Sequence, residues 1–70
     1  MSDEHAEADR LAAFCERKRD TARRMVNLSR QSSSPANRRR AEDWNAEADL
    51  FDRCAQILRK YSEAPEVARV

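Results

Sequence analysis

The chain contains no glycine. Tight β-hairpins and bulges lean on glycine for positive φ, so this absence argues against an all-β fold. Prolines number two, cysteines two, and aromatic residues make up only 6% of the chain. Two cysteines fall well short of a disulfide scaffold. Long apolar runs are missing as well, since nothing approaches the ~18–20 residues that a membrane span requires. The first residues, Met1-Ser2-Asp3-Glu4-His5, are acidic and no apolar run follows them, so a signal peptide is not expected. A cytoplasmic location without membrane contact is the expectation.

What the chain does have is alanine and charge. Ala and Arg occur twelve times each among 70 residues, against two Lys, and such residues favour helix. The same bias has the look of a GC-rich bacterial or phage genome. One domain is the most this length allows, and a lone core of this size rarely supplies more than roughly 3–5 kcal/mol. The fold class that follows is all-α.

Gln31-Ser32-Ser33-Ser34-Pro35 divides the chain. Ser34 is a good N-cap, and Pro35 fits the first helical position, where its missing N–H costs nothing. Residues 3 to about 30 read as one helix, with Ser2 as its cap and Asp3, Glu4 and Glu7 at the positive end of its dipole. Residues 31–34 read as a turn, and residues 35 to about 61 as a second helix. Ser62-Glu63-Ala64-Pro65 ends it, because the residue before a proline avoids the α region, and residues 62–70 read as a loose tail. So short a connection between long helices makes an antiparallel hairpin.

In the first helix, Leu11, Phe14, Thr21, Met25 and Leu28 form an apolar stripe with a spacing near 3.5. Lys18 interrupts it, its stem packing while the ammonium reaches out. Beside the stripe runs a row of small residues, Ala8, Cys15, Ala22 and Ser29, which permits close approach of a neighbour. The second helix carries two stripes. Ala41, Trp44, Ala48, Phe51, Ala55 and Leu58 make one, and Leu50, Cys54, Ile57 and Tyr61 make the other. Together they span roughly 200° of helix surface, where one packing surface needs little more than 100°. Folding about residues 34–35 sets Leu11 level with Leu58, Phe14 with Ala55 and Met25 with Trp44, so Trp44 is expected in the core. The second stripe is left over. It predicts an interface at Leu50, Cys54, Ile57 and Tyr61, most simply a homodimer that makes a four-helix bundle.

Charge is segregated along the chain. The net value is only +1, but residues 1–16 carry −4, residues 17–40 carry +8 and residues 41–70 carry −3. The basic island gathers at the closed end of the hairpin. Arg38, Arg39 and Arg40 lie in the first turns of the second helix, where the dipole disfavours cations, and such a feature suits binding. Part of this charge is expected to pair locally, Asp20 with Arg23 and Arg24, and Glu42 and Asp43 with Arg38 to Arg40. No aromatic residue is interleaved for base stacking.

Equipment for catalysis is nearly absent. The one histidine, His5, is far in sequence from Cys15 and Cys54, and no CxxC or HxxxH spacing marks a metal site. There is no glycine-rich phosphate loop. Neither enzymatic activity, a cofactor nor a metal is expected, and Cys15 and Cys54, level across the hairpin, read as small buried hydrophobes in preference to a disulfide staple. The sequence therefore describes a homodimeric hairpin that binds and modulates or inhibits another protein, as small accessory proteins of bacteria and phages do. Arg23, Arg24, Arg38, Arg39 and Arg40 would meet that partner, expected to be acidic. The alternative is a nucleic-acid-binding module that uses the same arginines on phosphates.

Overall fold

The computed structural model describes residues 3–63. It contains two α-helices, α1 (Asp3–Gln31) and α2 (Pro35–Glu63), packed against each other as a hairpin. Each has 29 residues, or about 43 Å at 1.5 Å per residue. Helix α2 runs two residues past the expected end at Tyr61. Ser62 is helical, and its hydroxyl donates to the Arg59 carbonyl at 3.0 Å. The expected cap at Ser2 and the remainder of the expected tail, residues 64–70, lie outside the described residues.

Three serines make the connection, and each has a bonding role or sits between two that do. Ser34 caps α2: its Oγ accepts from the Asn37 N–H at 3.4 Å, and its carbonyl accepts the first helical bond, from Arg38 N–H, at 3.0 Å. Ser32 Oγ accepts from the Ser34 N–H at 3.1 Å and from Asn37 Nδ2 at 3.2 Å. Helix α1 closes with Ser32 N–H on the Ser29 carbonyl at 3.3 Å, a tightened final turn that satisfies one orphan carbonyl. Among the described residues none has positive φ, so the chain reverses without the left-handed residue that glycine usually supplies.

The seam between the helices corrects one expectation. The buried apolar side chains are Ala8, Ala12, Ala22 and Val26 on α1 and Ala41, Ala48 and Ala55 on α2. On α1 they follow the small-residue row, continued by the buried His5 and Ser29, in steps of three and four. The large stripe stands one residue away around the helix, on the flank. Leu11 is 48% exposed, Phe14 45% and Leu28 59%. The reason is steric. Alanine opposite alanine lets the axes approach toward the short end of the usual 8–10 Å, and at that separation Leu and Phe have no room between them. The seam buries little per residue, since full burial of a large apolar side chain contributes roughly 1.5–3 kcal/mol and alanine much less. Its alanines also lose no side-chain entropy.

Candidate functional site

The two edges of the alanine seam differ in chemistry. Along one edge runs an ionic ladder. Arg59 of α2 donates from Nη2 to Glu16 Oε1 at 2.7 Å and from Nε to Oε2 at 3.3 Å, and its Nη1 also bonds Asp9. A turn or two nearer the closed end, Arg19 donates to Asp52 Oδ1 at 2.8 Å and to Asp20 Oδ1 at 3.1 Å. Asp52 in turn accepts from Gln56 Nε2 at 3.0 Å. The ladder side chains of Arg19, Asp52, Glu16 and Arg59 are each half-buried. The hydrogen bonds from Arg59 hold Glu16 below the ordinary glutamate range, against a smaller opposing effect of desolvation. Bonds to Asp52 and Asp20 raise Arg19, and bonds to Glu16 raise Arg59. This edge is closed by its own charges.

The other edge is apolar and open. Near the free ends of the helices, Leu11, Leu58 and Tyr61 line a cleft of about 350 Å³ whose rim carries Asp3, Glu4 and Glu7. Near the turn, Met25, Leu28 and Trp44 line a cleft of about 190 Å³ together with Ser29, Ser32, Asn37 and Arg40. Phe51 lies between Trp44 and Leu58 at seven-residue steps, hence on the same edge. Lys18 stands on this edge too, with its Nζ 5.5 Å from the Phe14 ring centroid, a geometry suited to cation–π attraction. Of the residues expected at an interface, Tyr61 (40% exposed) and the half-buried Cys54 border this edge. Leu50 (61%) and Ile57 (68%) stand on the outer side of α2, since the nine residues from Ala48 to Ile57 turn the helix through a half-circle. Compared with protein-family models, characterised proteins and solved structures, the chain matches none of them. Its function is read from its own geometry.

Tyr61 has a second employment. Its ring meets that of His5 edge-on at 5.2 Å, and its hydroxyl donates to Glu4 Oε2 at 2.9 Å. His5 is buried, so the one histidine fastens the open end of the hairpin. Sequence spacing gave no hint of this, because the two residues stand at opposite ends of the chain. Cys15 and Cys54 are both free and half-buried. Among the described residues no cluster of three or more His, Cys, Asp or Glu side chains could hold a metal ion. Nor is any helix among them long and apolar enough to cross a membrane.

At the closed end, Arg23, Arg24, Arg38, Arg39 and Arg40 are all exposed. The local pairing expected for them does not form. Asp20 bonds Arg19 instead, and none of the five forms an ion pair among the described residues, whose bridges involve Arg10, Arg19 and Arg59 alone. An aromatic ring does reach this end, contrary to expectation. Trp44 is half-buried rather than core and shares its cleft with Arg40, one helical turn before it. The i, i+4 spacing of Arg40 and Trp44 was the available signal. A second cleft on Trp44 is shared with Arg40, Asp43 and Glu47, so acidic groups bound the positive surface there.

Proposed function

We propose that this protein acts as a non-catalytic, homodimeric helical hairpin that binds another protein and modulates or inhibits it. One observation carries the dimer. Every fully buried apolar residue described is alanine or valine, while Leu11, Phe14, Leu28, Leu50, Ile57 and Tyr61 are 40–68% exposed. A lone hairpin of this kind hides its smallest apolar side chains and leaves its largest in water, which is a poor use of hydrophobic area. The face is large enough to change that. At about 43 Å long and 16 Å across, it offers roughly 700 Å² per copy, close to the ~800 Å² per partner of a standard interface. Two such faces closed on each other make a four-helix bundle with Leu11, Phe14, Leu28 and Tyr61 toward its centre. The second copy thus supplies the core that each hairpin lacks.

The arginines at the closed end are the surface for the external partner. With no ion pair among the described residues, they are open to carboxylates, and the acidic Asp43 and Glu47 limit the length of the positive strip. A short acidic segment of a protein suits that extent. The same unpaired arginines favour nucleic acid as a second reading, with Trp44 as a single stacking surface.

Sedimentation tests the dimer. The expected mass is twice 8.1 kDa, and a well-folded monomer at micromolar concentration overturns the reading. For the partner, affinity capture is compared between the native chain and a variant with Arg38 and Arg39 changed to Glu, which leaves Arg40 in place. Unchanged recovery of the same protein removes the closed end from the proposal. Tight, steeply salt-dependent binding to generic duplex DNA would instead favour the nucleic-acid reading.

A further inference from the structure

We infer that the two copies pack head to tail, with the cleft bordered by Arg40 in one hairpin on the acid-rimmed cleft of the other, which leaves Arg23, Arg24, Arg38 and Arg39 for the external partner. This rests on the dimer proposed above and adds its orientation. The apolar edge changes character along its length. Asp3, Glu4 and Glu7 rim the cleft at the open end, and Arg40 borders the one at the closed end. Both clefts have apolar floors, and the charges lining them are opposite in sign, with Asp43 and Glu47 set on the far side of Trp44.

A two-fold dimer through this face has two arrangements. With the axis along the rods, each cleft meets its own copy. Three carboxylates then oppose three carboxylates at one end, and Arg40 opposes Arg40 at the other. With the axis across the rods, each acidic cleft meets the partner's basic one, and by symmetry the attraction occurs twice. Like charges facing each other across a forming interface select strongly against the first arrangement.

The register agrees with the second. The midpoint of α1 (Asp3–Gln31) is Arg17, and that of α2 (Pro35–Glu63) is Asp49. Arg40 lies nine residues from its midpoint toward the closed end, and Glu7 lies ten from its own toward the open end. With the rods centred on each other, Arg40 of one copy is level with Glu7 of the other. Likewise Trp44, five residues toward the closed end, falls level with Leu11, six toward the open end. The indole thus enters the partner's cleft of Leu11 and Leu58. Glu7 is available for this contact, because its intrachain bridge to Arg10 is a 3.5 Å pair with both side chains about two-thirds exposed or more.

Pulsed electron–electron spin resonance on a nitroxide at Ser33 tests the orientation. The label is introduced as Ser33→Cys with Cys15→Ser and Cys54→Ser, and helicity and mass are checked against the native chain. Ser33 lies in the connection, outside both helices. Head-to-tail packing places the two labels about 45 Å apart. Side-by-side packing with the turns together places them within about 20 Å, and that result overturns the orientation while leaving the dimer. A monomeric native chain overturns the dimer and this inference with it. A second arm keeps the native cysteines. Arg40→Glu alone and Glu7→Arg alone are each expected to weaken self-association by roughly 10-fold. An equimolar mixture of the two is expected to recover the native affinity, because each end of the mixed dimer then joins opposite charges. Single variants that associate as tightly as the native chain would overturn the inference.

Discussion

The two edges of one alanine seam stand against each other as a finished surface and an unfinished one. On the ionic edge, Arg59 spans the gap to Asp9 and Glu16, and Arg19 spans it to Asp52. Long charged side chains suit this task, because their stems cover the seam while their heads stay in contact with water. On the apolar edge, Leu11, Phe14 and Leu28 have no such exit, and on the outer side of α2 neither have Leu50 and Ile57. The difference teaches that a hairpin can satisfy its polar groups alone and still be incomplete in its apolar ones. Among the described residues no buried side-chain polar atom lacks a partner, so the deficit of this fold is wholly hydrophobic.

The comparison can be broken most sharply at the seam itself. Ala48, 2% exposed, has no space for a larger side chain, and Ala48→Leu is expected to cost roughly 1–3 kcal/mol through overpacking. Against the small total stability of such a chain, that lowers the thermal midpoint by roughly 5–20 °C. A melting curve like the native one would show that the helices are not held close by alanine. Next in size is the contrast between edges. Leu11→Asp is expected to weaken self-association on the order of 10-fold or more with helicity retained, whereas Arg59→Ala leaves the sedimentation mass unchanged. Equal effects of the two on mass would erase the distinction.

Tyr61 belongs to both accounts, as a ring on the open face and a hydroxyl bonded within the chain. Tyr61→Phe is expected to cost roughly 0.5–1.5 kcal/mol of stability with no change in mass. The smallest effect concerns pH. Glu16 is held below the ordinary glutamate range in the folded chain. Its contribution is therefore complete above that range and is lost as pH falls through the lowered value. Stability should decline on acidification in that window, and Glu16→Gln should flatten that part of the thermal midpoint's pH profile while leaving the alkaline side as it was.

The helices and the break between them were open to reading because their causes are local. Ser34 and Pro35 specify a helix start by capping and by a fixed φ, and twelve alanines with no glycine leave little but helix. The exposure of Leu50 and Ile57 was legible for a different reason, since α2 carries more apolar arc than one neighbour can cover. The position of Leu11, Phe14 and Leu28 was not. Their stripe and the adjacent small row share one period and differ by a single residue, about 100° of rotation. Periodicity counts apolar residues and weighs large ones most, so it chose the wrong row.

Sequence by itself determined that the chain is a helical hairpin, where it turns, and that its charge divides into acidic open and basic closed ends. These follow from propensity, capping and order along the chain. Only the tertiary structure decided which row faces inward, that Arg59 joins Asp9 and Glu16, that His5 lies under Tyr61, and that Trp44 stands beside Arg40. Each of these depends on how near the second helix comes. That distance is set by the smallest side chains meeting across the seam, and no single helix carries this information alone.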